Sequence, residues 1–117
     1  MILVTIRTSI WAYHLWPDAP DRRAYLADLH PHNFGVAVTV RTEGDDRVVE
    51  FHDLVDEVQF HLQHMAGVLE DRPEPSFGSL SCEMIAQALA GRLGEQAYTV
   101  ERVDVTEDDQ HTGTWRL

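Results

Sequence analysis

The chain has 117 residues, of which 44% are hydrophobic and 25% charged, and its formal net charge is −11. This length supports one domain, residues 1–117, with a real core, and the composition lacks the polar bias of disordered chains. The nine basic residues are scattered and face 20 acidic ones, so we expect no nucleic-acid partner. No apolar run is long enough for a membrane span. Cys82 is the only cysteine, which excludes an intramolecular disulfide and favours a cytoplasmic protein.

The first two predicted strands carry three histidines on their apolar faces. Alternate side chains of a strand share a face. The even-numbered residues from 1 to 14 are mainly apolar and end in His14, whereas the even-numbered series from 30 to 41 begins with His30 and His32. Two histidines at i and i+2 with a third on the neighbouring strand can hold Zn(II) and leave a fourth position open. The equally common alternative is a set of buried, hydrogen-bonded histidines.

Hydrophobic periodicity and turn residues predict the remaining elements in chain order. They are a helical turn (22–29), a return strand (47–51) after a polar turn (43–46), two helices (53–65 and 81–93), a strand whose uneven alternation allows a bulge (98–105) and a last strand (112–117). Ser81 is predicted to cap the second helix and Gly94 to end it. The order ββααββ predicts an α+β fold, an antiparallel four-stranded sheet with two helices on one face. Its exposed edges favour strand pairing between subunits.

Five short segments follow one another in a characteristic order: Ala12–Leu15, His30–Phe34, Val49–Leu54, Ser81–Ala86 and Val103–Glu107. Together they resemble the 6-pyruvoyltetrahydropterin synthase and 6-carboxytetrahydropterin synthase family over nearly the whole chain. The first two segments are similar to the family's zinc histidines, the third and fourth to the starts of its two helices, and the fifth to the strand that ends in its pterin-anchoring Glu. The resemblance implies a tunnelling fold, in which two trimers stack into a hexameric β-barrel with pockets between subunits.

The same resemblance implies roles for the site residues. The three histidines would bind zinc, which acts as a Lewis acid on the side chain of the substrate. Glu107 would anchor a pterin ring, since one carboxylate can accept the ring N–H and the exocyclic amino group together. Glu83 would be a second acceptor and Ser81 a further ring contact. The ordinary alternatives are an acidic residue in a first helical turn and a helix N-cap.

The chain departs from the family pattern at the groups that move protons. The family's catalytic Cys corresponds to Leu26, and the Glu that some relatives place one residue later corresponds to Ala27. Asp28 is one further residue out of register. The family's Asp-His pair at the end of the first helix is Gln63-His64 here, and a glutamine cannot support the imidazole as a carboxylate would. Asp28 and His64 therefore remain as the candidate acid and base.

Two further groups have chemistry of their own. Cys82 begins a helix, where the dipole would lower the pKa of a thiol. Glu57, His61 and His64 share one helix face and could hold a metal. A packing role for the cysteine and a solvated helix face for the other three are the more common outcomes.

Three functional classes remain open. We favour a divergent homologue that binds a pterin-like, purine-like heterocycle through Glu107 and Glu83 without the standard synthase reaction, because the anchoring glutamates remain while proton-transfer groups are replaced. The alternative is an active zinc-dependent carbon–oxygen/phosphate lyase with altered acid and base residues, acting on a dihydropterin such as 7,8-dihydroneopterin triphosphate. The third class is an assembly that uses neither metal nor pterin.

Overall fold

The fold is an open antiparallel sheet of four strands with two α-helices packed against it. The computed structural model describes residues 1–44 and 46–117. The strands are β1 (Ile2–His14), β2 (His30–Thr42), β3 (Thr99–Glu107) and β4 (His111–Arg116), and they lie in the order β1-β2-β3-β4. The predicted α+β class and the antiparallel four-stranded sheet are confirmed.

The strand pairing fixes which side chains share a face. β1 and β2 pair along their whole length, from Ile2 opposite Thr42 to His14 opposite His30. The more buried positions of both strands are the even-numbered ones, as the alternation predicts. β2 and β3 pair with one irregularity, between Thr39 and Val40, which agrees with the uneven alternation of β3.

Three helical segments connect the strands. A 3₁₀ helix (Asp21–Ala27) lies between β1 and β2, and α1 (Phe51–Met65) and α2 (Cys82–Glu95) follow β2. Ser81 is the N-cap of α2, since its hydroxyl accepts the backbone N–H of Met84 at 3.2 Å. The predicted helical turn, both helices and this cap are confirmed.

The predicted return strand at Arg47–Phe51 is wrong. Phe51 is already the first residue of α1, and the Glu50 carboxylate caps that helix by accepting the backbone N–H of Asp53 at 2.9 Å. β2 pairs with β1 on one side and with β3 on the other, so neither of its edges remains for a return strand. The predicted turn 43–46 includes residue 45, which lies outside the described residues.

The predicted end of α2 is also wrong. The helix continues through Gly94 to Glu95. The residue with the left-handed conformation is Ala97, at φ 70°, and the backbone N–H of Tyr98 returns to the Leu93 carbonyl at 3.3 Å. The chain therefore leaves the helix at Ala97, where a left-handed residue ends a helix as glycine often does.

One hydrophobic core lies between the sheet and the helices. α1 packs on β1, and α2 packs on β3 and β4. The largest fully buried side chains come from both layers; they are Phe34, Leu54, Leu62, Ile85, Leu89, Leu93, Val38, Val40, Val58, Val103 and Val105. Burial of these apolar surfaces is the main stabilising term of the fold.

The segment between the two helices returns to the end of β1. The backbone N–H of Tyr13 donates to the Pro75 carbonyl at 2.9 Å, and the N–H of Phe77 donates to the Tyr13 carbonyl at 2.8 Å. These bonds hold residues 75–78 beside the last residues of β1. The start of α2 consequently lies next to the last residues of β1 and the first residues of β2.

None of the helices in the described ranges is long and apolar enough to pass through a bilayer.

We predict that Gly113→Ala destabilises the protein. A Cβ at Gly113 in β4 would lie 2.7 Å from the backbone nitrogen of Glu83 and 3.0 Å from the carbonyl carbon of Cys82, so the start of α2 must move. We expect a loss of about 1–3 kcal/mol in the free energy of unfolding, measured by urea denaturation.

Gly91→Ala in α2 is the matched control, because, apart from its own stretch of helix, no atom of residues 1–44 and 46–117 lies within 4 Å of its Cβ position. It should stabilise the protein by roughly 0.5–1 kcal/mol, since alanine has the higher helix propensity. A Gly113→Ala protein as stable as the wild type would contradict the close contact between β4 and α2.

Candidate metal and ligand site

Three histidines meet where β1 ends and β2 begins. His14 pairs with His30, and the small Ala12 lies opposite His32. The imidazole centroids are 4.6–5.1 Å apart, and one ring nitrogen of each histidine lies within 4.8 Å of the others. The fully buried Phe34 packs edge-on against His14, with the ring centroids 5.1 Å apart. The structure thus brings together all three residues that the strand alternation selected.

The outer ring nitrogen of each histidine donates to an oxygen outside the cluster. His14 Nδ1 donates to the Leu80 carbonyl at 3.0 Å, and His30 Nδ1 donates to the Asp28 carbonyl at 2.8 Å. A carbonyl oxygen only accepts, so both Nδ1 atoms carry the proton. In a neutral imidazole the Nε2 atom then has an unprotonated lone pair, which is the form that binds a metal.

His32 has the same arrangement with a side-chain acceptor. Its Nδ1 lies 2.7 Å from Asp108 Oδ2, and its buried Nε2 has no hydrogen-bond partner among the described residues. The hydrogen bond from His32, and after it the backbone N–H of Asn33, lowers the pKa of Asp108, so this side chain is a carboxylate and accepts. With the proton on Nδ1, the Nε2 lone pair of His32 can accept a ligand.

His14 favours the neutral form as well. Burial lowers the pKa of His14, and the hydrogen bond to the Leu80 carbonyl opposes this effect only in part. Metal ligation requires neutral imidazoles.

A carboxylate faces this cluster from the end of β3. Glu107 Oε1 lies 3.2 Å from His14 Nε2, and Glu107 Oε2 lies 3.8 Å from His32 Nε2. A carboxylate oxygen and an unprotonated nitrogen both carry negative partial charge, so this approach is favourable only with a proton or a metal cation between them. Three imidazoles suit Zn(II), and the residues present fit that ion.

A cavity of about 400 Å³ opens beside the histidines, a volume within the range of small-molecule sites. It combines apolar walls with polar groups from β1, β3 and the start of α2. Its lining residues are His14, Leu15, Trp16, Leu26, His30, Ser79, Leu80, Ser81, Cys82, Glu83 and Glu107. The proposed anchors Glu107 and Glu83 and the proposed contact Ser81 therefore border one space.

Glu83 and Ser81 also fill the ordinary roles that the sequence allowed. Glu83 is exposed in the first turn of α2, where the helix dipole favours a negative charge. The Ser81 hydroxyl caps the same helix while the residue lines the cavity. Neither role prevents a ligand contact.

The two candidate acid–base residues, Asp28 and His64, do not line this cavity. Asp28 is exposed and does not line the cavity, and it supports His30 through its backbone carbonyl instead. His64 is exposed on α1, where its Nδ1 donates to the Phe60 carbonyl at 2.7 Å. Leu26 lines the cavity and has no group that can carry a proton.

The helix face that carries Glu57, His61 and His64 is only partly exposed to solvent. His61 is buried, with Nε2 2.9 Å from the Gln96 side-chain oxygen. Within residues 1–44 and 46–117, the cluster of His14, His30 and His32 is the one group of three or more ligating side chains close enough to share a metal.

Cys82 lacks the activated thiol that its place at a helix start suggested. Burial, and after it the neighbouring Glu107 side chain, together raise the pKa of Cys82 to about 12. Desolvation of the thiolate and the nearby negative charge therefore outweigh the helix dipole.

Asp108 is the site residue that the sequence reasoning missed. Its position directly after the last residue of a strand could have suggested a role at this edge of the sheet. Its contact with His32, however, depends on the register of β3 against β2 and on the turn that follows β3.

The fold and the site define a class of small α+β domains in which two paired strands present a three-histidine centre beside a cavity. The sequence profile of 6-pyruvoyl tetrahydropterin synthase matches residues 3–116, and the chain belongs to that family. No curated protein matches the chain significantly.

Solved structures share this fold at low sequence identity. The chain is similar to the 6-pyruvoyl tetrahydropterin synthase of Plasmodium falciparum, with a TM-score of 0.63, 16% identity and coverage of 99% of this chain and 97% of that one. It is similar to the enzyme of Plasmodium vivax, with a TM-score of 0.59, 16% identity and coverage of 100% and 99%. An uncharacterized protein from Wolinella succinogenes has a TM-score of 0.57, 15% identity and coverage of 99% of both chains.

We predict that Cys82 reacts slowly with alkylating reagents in the folded protein. The raised pKa keeps the thiol protonated at pH 8, and the thiolate is the reactive form, so alkylation by iodoacetamide should be roughly 100-fold slower than for an ordinary thiol. Mass spectrometry of quenched samples measures this rate. The control is the same protein in denaturant, where the rate should become ordinary. Equal rates in both states would contradict the raised pKa and the burial of this thiol.

Proposed function

We propose that this protein is a divergent 6-pyruvoyltetrahydropterin synthase homologue that binds a pterin-like, purine-like heterocycle without catalysing the standard synthase reaction. The observation that carries the proposal is the position of Glu107, which lines the cavity and also lies 3.2 Å from the imidazole of His14. A ligand held by this carboxylate would lie directly beside the histidine centre.

The proposed ring contacts follow from the chemistry of the cavity. A pterin presents a ring N–H and an exocyclic amino group side by side, and a carboxylate accepts both in a charge-assisted, bidentate contact. Glu107 is the proposed anchor, with Glu83 as a second acceptor and Ser81 as a further contact. The apolar side chains of Trp16 and Leu80 border the same cavity and suit the faces of a flat heterocycle.

We propose that His14, His30 and His32 hold zinc through Nε2. The unpartnered, buried Nε2 of His32 and the Glu107 carboxylate next to His14 support this assignment. When bound, zinc supplies a Lewis acid that attracts oxygen atoms of a ligand side chain. This chain's own residues orient the three imidazoles and place the ring anchors.

The groups that could transfer protons argue against the standard reaction. Leu26, which the resemblance places at the position of the family's catalytic thiol, borders the cavity. Asp28 and His64, which we proposed as acid and base, are exposed and outside the cavity of the single chain. An imidazole supported only by a backbone carbonyl lacks the carboxylate that stabilises its charged form.

An active zinc-dependent carbon–oxygen/phosphate lyase is the second candidate. It is favoured by the exposed position of His64 on α1 together with the open sheet edges at β1 and β4. We propose that these edges pair between copies to form a hexamer of two stacked trimers around a β-barrel, with the pockets between subunits. Such an assembly could bring His64 of one copy to the pocket of another.

The single, buried thiol of Cys82 agrees with the cytoplasmic location that we propose.

We predict that Glu107→Gln weakens binding of a pterin. The amide has one acceptor and no charge, and a lost hydrogen bond to a charged group costs about 1.5–3 kcal/mol, so the dissociation constant for biopterin or neopterin should rise roughly 10- to 150-fold. Isothermal titration calorimetry measures it. The matched control is Glu95→Gln at the exposed end of α2, which should bind like the wild type. Equal affinity of all three proteins would remove Glu107 as the anchor.

We predict no turnover of 7,8-dihydroneopterin triphosphate by the zinc-loaded protein, because the cavity of the chain offers no proton carrier at position 26. Chromatography of the pterin and assay of released triphosphate measure it. Triphosphate release that disappears in Glu107→Gln would show a reaction at this site and would favour the lyase.

A further inference from the structure

Asp108 connects the turn after β3 to the histidine centre. Its Oδ2 lies 2.7 Å from His32 Nδ1, and its Oδ1 accepts the backbone N–H of Asn33 at 2.8 Å. The backbone N–H of Asp108 donates to the Asn33 carbonyl at 3.0 Å. Three hydrogen bonds therefore fix this residue against the β2 backbone beside His32.

The backbone conformation directs the Asp108 side chain. Asp108 has φ 50° and the next residue, Asp109, has φ 59°, a left-handed pair that Asp tolerates better than most residues. Two residues of this kind turn the chain sharply after Glu107. The consecutive carboxylates consequently reach His32 from opposite sides, Glu107 near Nε2 at 3.8 Å and Asp108 at Nδ1.

His32 differs from the other two histidines in its outer partner. His14 and His30 donate to backbone carbonyls, which are always acceptors and fix the tautomer whatever side chains are nearby. The tautomer of His32 depends on one side chain. A substitution of Asp108 would therefore change the metal affinity of the centre without replacing one of its three ligands.

We propose that Asp108 is a positioning residue that holds His32 with the proton on Nδ1 and the lone pair of Nε2 toward the metal, and thereby sets the affinity of the centre for zinc. This inference rests on the zinc site of the proposed function. Hydrogen-bonded partners of ligating histidines typically change metal affinity 10- to 100-fold when they are replaced.

Asp108→Asn tests the proposal because an amide cannot replace both carboxylate oxygens. Two donors, His32 Nδ1–H and the Asn33 backbone N–H, meet two acceptor oxygens of Asp108. The asparagine offers one acceptor and one NH₂ group, so an amide that keeps the Asn33 bond turns its NH₂ toward His32. This contact favours the opposite tautomer, with the proton on Nε2. Asparagine also tolerates the positive φ, so the turn should survive.

The first experiment measures the zinc dissociation constant by competition with a chromogenic chelator at pH 8. We expect Asp108→Asn to bind zinc 10- to 100-fold more weakly than the wild type. Asp109→Asn is the matched control, since it removes the same charge from the adjacent, exposed position with a similar φ, and it should stay within about twofold of the wild type. Equal affinities of the two variants would overturn the proposal.

The second experiment needs no metal, and its decisive reading comes from the wild type. Long-range ¹H–¹⁵N correlation spectra of the zinc-free wild type at pH 8 identify the protonated nitrogen of His32. We expect Nδ1–H in the wild type and in Asp109→Asn, and a shift to Nε2–H in Asp108→Asn. A wild type with Nε2–H would overturn the positioning role even if the variant failed to fold. A wild type with Nδ1–H that binds no zinc would instead reject the zinc site and leave the orienting role of Asp108 supported.

Discussion

Three hydrogen bonds outside the histidine cluster determine what the site can do. Each imidazole donates its Nδ1 proton to an oxygen: the Leu80 carbonyl for His14, the Asp28 carbonyl for His30 and the Asp108 carboxylate for His32. With the proton on Nδ1, a neutral ring has its Nε2 lone pair available, and this holds for each of the three histidines. A cluster with other tautomers would hold N–H groups that repel a cation.

These three acceptors come from three separate connections of the fold. The segment that returns to the end of β1 brings Leu80, the chain after the 3₁₀ helix brings Asp28, and the turn after β3 brings Asp108. The paired strands supply the rings, and the loops supply their orientation. A metal site on this sheet therefore depends on loop conformation as much as on the register of the strands.

The surroundings of the centre suit binding better than proton transfer. Leu26 and the protonated Cys82 border the cavity, so neither can act as a base at neutral pH. Glu107 and Glu83 contribute negative charge to the same cavity, and this charge suits the N–H donors of a flat heterocycle. Zinc at the proposed site, next to a pocket with two acceptor carboxylates, would hold a ligand without necessarily changing it.

Much of the fold and the meeting of the three histidines could be predicted from the sequence. The alternation of apolar residues placed His14, His30 and His32 on one face, because the period of two in a strand leaves little choice once the apolar face is known. Ser81 as a helix cap follows from a local hydrogen bond within three residues. Features that depend on local geometry were therefore visible in the sequence.

The features that the sequence did not predict depend on tertiary contacts. The valine-rich residues 47–51 have strand propensity, but both edges of β2 are occupied and Glu50 caps a helix instead. The thiol of Cys82 is inactivated by burial, which a helix position alone does not specify. Asp108 meets His32 only through the β2–β3 register and the turn after β3. The chain leaves α2 at the left-handed Ala97 and not at Gly94, where the sequence predicted the end of the helix.

X-ray absorption spectroscopy at the zinc edge, on protein loaded with one equivalent of zinc, tests the central claim most directly. The account predicts three imidazole nitrogens at about 2.0–2.1 Å, recognisable by their multiple scattering, and no sulfur ligand. A zinc–sulfur distance near 2.3 Å, or a coordination shell with fewer than three imidazoles, would contradict it.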